Sequence, residues 1–205
     1  MNVFNTVRNA VIHKSINACI LAYTDILKSR KPKVGELLTE DQRRNQLVSM
    51  IRKNSKKYEF NYIITTENGE FRSGTYNTVG RIDIGIFYKP QEYKQEYLSF
   101  ECKRFIKENS GENAIDKAYY KEGIKRYETG KYLCDTGVGG VIAFCEDGDF
   151  DMLKDKIINV LDQHSTSKVE EITQYNHKYI HSCLIKSKGK NEIKIISIMM
   201  DFAKR

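Results

Sequence analysis

Three charged residues stand out by type and spacing. Asp83 lies in "GRIDIGIFYK" (80–89), and Glu101 and Lys103 lie in "YLSFECKRF" (97–105). In both runs apolar residues recur at every second position, the period of a half-buried strand. Ile82, Ile84, Ile86 and Tyr88 therefore share one face with Asp83 on the other, and Leu98, Phe100 and Cys102 oppose Glu101 and Lys103. If "KPQEYKQE" turns the chain, a hairpin centred near Glu92 sets Asp83 opposite Glu101, with Lys103 further along the same side. Carboxylates facing each other across a hairpin repel unless a cation lies between them, and oxygen ligands suit Mg²⁺ or Mn²⁺. Such an ion polarises a phosphoryl oxygen and acidifies bound water, while an adjacent lysine orients that water and offsets developing charge. The competing reading is a solvated polar face with Asp83 incidental to it.

The elements that must position these residues follow from periodicity and punctuation. Ile12, Ile16, Cys19, Tyr23 and Ile26 predict a packed helix from about Phe4 to Lys28, ending at "KSRKPK", where Lys28, Arg30, Lys31 and Lys33 form a cluster able to grip phosphates. "TEDQRRNQLVSMIRKN" starts a second helix, with Thr39 as N-cap, Gln42 in the capping-box position, and Leu47 and Ile51 on its buried face. A strand near Tyr58 to Thr65 and a turn at "ENGE" precede the two motif strands. A helix near Ala114 to Thr129, capped by Gly130, follows them. "GVIAFCE" (140–146) reads as a strand buried on both faces, then a helix from about Asp151 to Asp162. "KYIHSCLIKS" and "NEIKIISIMM" read as an edge hairpin. The expected architecture is α/β, a mixed central β-sheet flanked by helices. It forms a single domain over 1–205, comprising an N-terminal helix and basic loop (1–33), a motif-bearing core (37–145) and a closing helix and hairpin (146–205).

Composition narrows the setting. The chain has 205 residues, 40% apolar and 30% charged with only two prolines, which places it among folded proteins rather than disordered ones. A net charge of +7 and a pI near 9.0 favour polyanionic partners. Five cysteines without a CxxC pair make neither a disulfide framework nor a zinc ribbon. Cys102, Cys134, Cys145 and Cys183 sit in or beside apolar runs, as small core residues do. No run is long and apolar enough for a membrane span and no secretory signal stands at the start, so the expected location is cytoplasmic, without a membrane partner. His177 and His181 have helical metal-ligand spacing but fall in a strand-like run lacking the glutamate of a zinc protease.

Asp83 with Glu101-Cys102-Lys103 resembles the PD-(D/E)xK nucleases, the restriction-endonuclease-like superfamily, over roughly Leu37 to Cys145, with Ile82 where the family name has Pro. The resemblance implies that Asp83 and Glu101 ligate Mg²⁺, with Mn²⁺ able to substitute, that the Cys102 backbone carbonyl adds a ligand, and that Lys103 positions the attacking water. It also implies an acid on the preceding helix, for which "LLTEDQRRNQL" offers Glu40, with Asp41 as its rival; Glu40 is in register with Leu47 and Ile51. "YYKEGIKRYETGKY" resembles a pattern of some members through Tyr119, Gly123, Arg126, Tyr127, Gly130 and Tyr132. Arg126 and Tyr119, with Lys121 and Lys125 of a four-residue lysine repeat that begins at Lys117, are the candidate nucleic-acid contacts. The implied activity is metal-dependent hydrolysis of nucleic acid, DNA favoured over RNA, by an endonuclease of restriction or antiphage type, with a protein partner or second copy supplying specificity. A nuclease-fold module that binds nucleic acid or protein without cleaving is the alternative.

Overall fold

The computed structural model describes residues 3–29, 37–71, 78–87, 97–132, 137–175, 177, 179–188 and 191–203. Arg30, Lys31 and Lys33 of the basic cluster, the "KPQEYKQE" turn and Cys134 lie outside the described residues. Two helices come first, α1 (Val3–Ser29) and α2 (Glu40–Lys53). Then follow β1 (Ile63–Phe71), β2 (Thr78–Phe87) and β3 (Tyr97–Phe105). A helix runs on from there in three parts, α3 (Glu112–Ile115), a π-helical segment (Asp116–Ile124) and α4 (Lys125–Glu128). The remainder is β4 (Val138–Cys145), α5 (Phe150–His164), β5 (Glu170–Glu171), β6 (Ile180–Lys186) and β7 (Glu192–Asp201).

The strands form one seven-stranded mixed sheet in the order β1-β2-β3-β4-β7-β6-β5. The pairs β1–β2 and β2–β3 are antiparallel, β3–β4 and β4–β7 parallel, and β7–β6 and β6–β5 antiparallel. Side chains alternate between two cores. Under α1 and α2, Ile84, Ile86, Phe100, Cys102, Ile142 and Phe144 pack with Ile16, Leu47 and Ile51. On the opposite face Phe105, Val141, Ala143 and Cys145 pack with Tyr119, Tyr127 and the α5 residues Leu153 and Ile157. Helices on both faces explain why β4 is apolar nearly throughout: neither of its sides meets water. The protein is thus α/β, with a mixed central sheet between helical layers.

Several expectations need correction. β1 begins later than Tyr58 and carries the "ENGE" residues within the ladder, where Gly69 pairs with Arg81; antiparallel pairing to β2 overrides the turn propensity of Asn68-Gly69. The closing hairpin is not at the edge, because β7 sits between β4 and β6. Its run "IISIMM" is buried on both faces and needs a neighbour on each side. The expected α-helix near 114–129 is π-wound across its middle. The described cysteines, Cys19, Cys102, Cys145 and Cys183, are buried free thiols.

Candidate active site

The site begins where two strands part. β2 and β3 pair as Phe87–Tyr97, Ile86–Leu98, Gly85–Ser99 and Ile84–Phe100, the register expected from the sequence, and Asp83 falls one residue beyond the last pair, facing Glu101. There the ladder opens. Ile84 and Ile86 belong to the core under α1 and α2, whereas Ile82 packs with the opposite core, although β2 keeps one register with β1 from Phe87 to Gly80. The Cys102 amide, which in a continued ladder would meet β2 backbone, instead donates to Asp83 Oδ2 at 2.8 Å. Two residues on, the Arg104 amide points along the same edge of β3 and donates to Glu40 Oε2 at 2.9 Å. Two carboxylates from different elements thus cap successive free amides of one strand. N–H and C=O of one strand residue point the same way, so the Cys102 carbonyl faces this edge as well.

Glu40 reaches β3 because α2 is fixed at its start. Thr39 accepts from the Gln42 amide and the Gln42 side chain accepts from the Thr39 amide, the expected capping box. Arg43 is almost fully buried and forms two 2.5 Å hydrogen bonds to Glu146 just beyond β4, with its guanidinium 3.7 Å over the Phe202 ring. This pins the first turn of α2 over the sheet. Glu40 is half-buried, while Asp41 points outward and pairs with Arg44 at 3.1 Å. Arg44, one helical turn after Glu40, also reaches Asp83 Oδ1 at 3.4 Å.

The other motif residues lie beneath the π-helical segment. Gly123 packs over them: a Cβ there would stand 3.8 Å from Lys103 Cε and 3.9 Å from Glu101 Cγ. Glu101 is 1% exposed and its carboxylate receives three donors. Lys103 Nζ donates to Oε1 at 2.7 Å, Arg126 Nη1 to Oε1 at 2.6 Å, and the Tyr132 hydroxyl to Oε2 at 2.5 Å. Gly130, at φ 68°, turns the chain after α4 and lets the Tyr132 amide donate to the Arg126 carbonyl at 3.1 Å, which brings both side chains onto Glu101.

Charge in the site is balanced but strained. Burial, reinforced by Glu101, raises the Asp83 carboxyl above its usual range. Burial likewise raises Glu40, against the pull of Lys103 and the Arg104 amide. Burial alone would lower Lys103, but Glu101, Glu40 and Asp83 outweigh it and hold the ammonium above its usual value, charged at neutral pH. Protein cations answer the carboxylate repulsion read from the sequence as a sign of a metal: Arg44 contacts Asp83, and Lys103 and Arg126 contact Glu101. Among the described residues no three His, Cys, Asp or Glu side chains form a ready-made ligand cluster. The donor chemistry nevertheless suits a hard cation. Among the described residues Asp83 Oδ1 has only its 3.4 Å contact with Arg44, and the Glu40 carboxylate is engaged only through Oε2.

Asp83, Glu101, Lys103 and Glu40 therefore come together with the Cys102 backbone, as do Arg126 and its neighbour Tyr132. Others do not. Tyr119, expected against nucleic acid, is fully buried on the sheet and shares a 2.6 Å hydrogen bond with Ser197. Arg126, which does join the site, donates to Glu101 and Tyr132 and keeps its side chain 28% exposed. Lys117, Lys121 and Lys125 are all exposed, and Lys121 pairs at 2.6 Å with Asp116, five residues back across the π winding. His177 Nε2 donates to the Met199 carbonyl at 2.8 Å, as part of the fold. Arg44 was missed, although its i+4 spacing from Glu40 was a readable signal, and Tyr132 was noted only as part of a pattern. No protein-family model, curated protein or solved structure matches the chain. No described helix is long and apolar enough to cross a membrane.

Proposed function

We propose that the protein is a divalent-metal-dependent phosphodiesterase acting on nucleic acid, DNA in preference to RNA, with a restriction-endonuclease-like arrangement of the PD-(D/E)xK kind. One observation carries this reading: Asp83 and Glu40 arrive from different elements at the free edge of β3, beside the Lys103–Glu101 pair. Asp83, Glu40 and the Cys102 carbonyl are hard oxygen donors that would hold Mg²⁺ or Mn²⁺ there, with Glu101 joining once a donor leaves it. Bound at that edge, such an ion would supply Lewis acidity toward a phosphoryl oxygen and acidify water. Lys103, charged and held by Glu101, orients the attacking water and offsets negative charge growing on phosphorus substituents. The net charge of +7 draws the polyanion in. A restriction or antiphage setting, with a partner chain providing specificity, rests on the sequence resemblance.

Purified protein is expected to nick plasmid or degrade single-stranded DNA with Mn²⁺ or Mg²⁺, and Asp83→Ala and Lys103→Ala are each expected to abolish this. Cleavage retained in both variants would reject the site. One observation favours a second reading: the Glu101 carboxylate is saturated by Lys103, Arg126 and Tyr132. A site committed internally in this way suits a module that binds nucleic acid or a protein partner without cutting. Calorimetry with Mn²⁺ separates the two, since the module binds no metal and the enzyme loses binding on Glu101→Ala.

A further inference from the structure

The Tyr132 hydroxyl occupies an unusual position. It lies 2.5 Å from Glu101 Oε2 on β3 and 2.6 Å from the Arg81 carbonyl on β2, and Arg126 Nη1 donates to it at 2.5 Å. Arg81 is two residues before Asp83, so these contacts span the place where β2 leaves β3. A phenol has one proton and faces two acceptors here, so it can donate to either oxygen but not to both. The ring is buried, standing edge-on to Tyr127 at 5.3 Å between centroids. Its backbone is tied back to Arg126 past Gly130, so the hydroxyl is fixed by the fold rather than free to follow Glu101.

We propose that Tyr132 is a positioning residue that sets the spacing between the Asp83 and Glu101 carboxylates. It bridges the parted strands in place of the lost backbone ladder, and its single proton lets it release Glu101 by turning to the Arg81 carbonyl. Arg126, donating to both the phenol and Glu101, holds the bridge from the other side. In the resting state the proton favours Glu101. When Glu101 accepts a cation, the hydroxyl exchanges its hydrogen bond to Glu101 for one to the Arg81 carbonyl, with no covalent bond broken and no proton transferred between residues, while the packed ring stays in place between the strands. The bridge itself depends only on the geometry, while its effect on metal binding rests on the proposed function.

Tyr132→Phe keeps the ring and its packing while removing the bridge. Two measurements on the intact chain test the idea. The first is amide exchange at Cys102, whose acceptor Asp83 is held by the strand spacing, with the Val141 amide of β4 as internal reference. The variant is expected to exchange about tenfold faster at Cys102 than wild type with Val141 unchanged, and equal exchange at Cys102 overturns the bridge whether or not the protein binds metal. The second is the Mn²⁺ dissociation constant by calorimetry, expected to rise about 10- to 100-fold in the variant, as loss of an outer-shell hydrogen bond does. If wild type binds Mn²⁺ and the variant binds it equally well, the positioning role is refuted. If wild type binds none, the metal reading fails and the bridge stands or falls on the exchange result. Where DNA is cleaved, kcat is expected to fall with KM unchanged, a split that general loosening of the fold would not give.

Discussion

Replacing Asp83 by asparagine should weaken function and strengthen the fold at the same time. Asp83 and Glu40 both bind protons more readily folded than unfolded, burial being the main cause for each, with Glu101 adding for Asp83. For a carboxyl raised in this way, the stability contribution is full below its unfolded value, 3.8 for Asp83 and 4.5 for Glu40, and is lost as pH rises through the higher folded value. Ionised Asp83 therefore weighs against the fold at neutral pH. Asparagine retains an oxygen for the Cys102 amide and removes the charge, so Asp83→Asn should melt above wild type at neutral pH, with the gap closing below about pH 4. Function should move the other way. If the carboxylate contributes only about 3 kcal/mol of charge stabilisation, cleavage falls by roughly 100-fold. Mn²⁺ at about 100 times its dissociation constant stabilises the protein it binds by ~2.7 kcal/mol, which for a domain of this size is about 5–11 °C in Tm. That shift should appear in wild type and largely vanish in the variant. Thermal melts at neutral and acid pH, with and without Mn²⁺, together with a plasmid-nicking assay, make the comparison. A variant that melts below wild type at neutral pH, or cleaves at the wild-type rate, refutes the reasoning.

Two further substitutions probe what holds the site in place. Arg43→Ala leaves Glu146, which has no exposed side-chain surface, uncompensated, and should cost about 3–5 kcal/mol, seen as a Tm about 6–20 °C lower; Arg43→Met combined with Glu146→Leu should recover most of it. Gly140→Ala puts a methyl into the Phe100 ring across the β3–β4 pair, so chemical denaturation should show a loss of about 1–3 kcal/mol from overpacking.

How much of this was legible depended on how local each cause is. The Thr39–Gln42 capping box is settled within four residues and was readable, and with it the start of the helix bearing Glu40. The β2–β3 register follows from alternation and the length of the intervening run, and it too was readable. The parting of the strands at Asp83 was not, because it depends on a side chain displacing backbone as acceptor for Cys102, which periodicity cannot express. Tyr119 and Tyr132 illustrate the same limit. Both belong to one tyrosine-rich run, yet Tyr119 packs into the core beside Ile115 and Tyr127, while the Gly130 turn carries Tyr132 onto Glu101.

The charge balance of the site bears on how it would engage a ligand. Among the described residues, Asp83, Glu101 and Glu40 are set against Lys103, Arg44 and Arg126, so the resting site is close to neutral. A phosphodiester alone finds Lys103 and Arg126 already paired with Glu101, and gains little by displacing a buried carboxylate's partners. A divalent cation alone leaves the site two charges positive among partly buried side chains, which is also unfavourable. Each ligand removes part of the obstacle to the other: the cation takes over neutralising the carboxylates and frees Arg126, and the phosphodiester offsets one of the two surplus positive charges. Linkage then requires that Mn²⁺ tighten DNA binding by the same factor that DNA tightens Mn²⁺ binding. The carboxylates that cap β3 would in this way satisfy its free amides without ligands and make cation and phosphate bind as a pair.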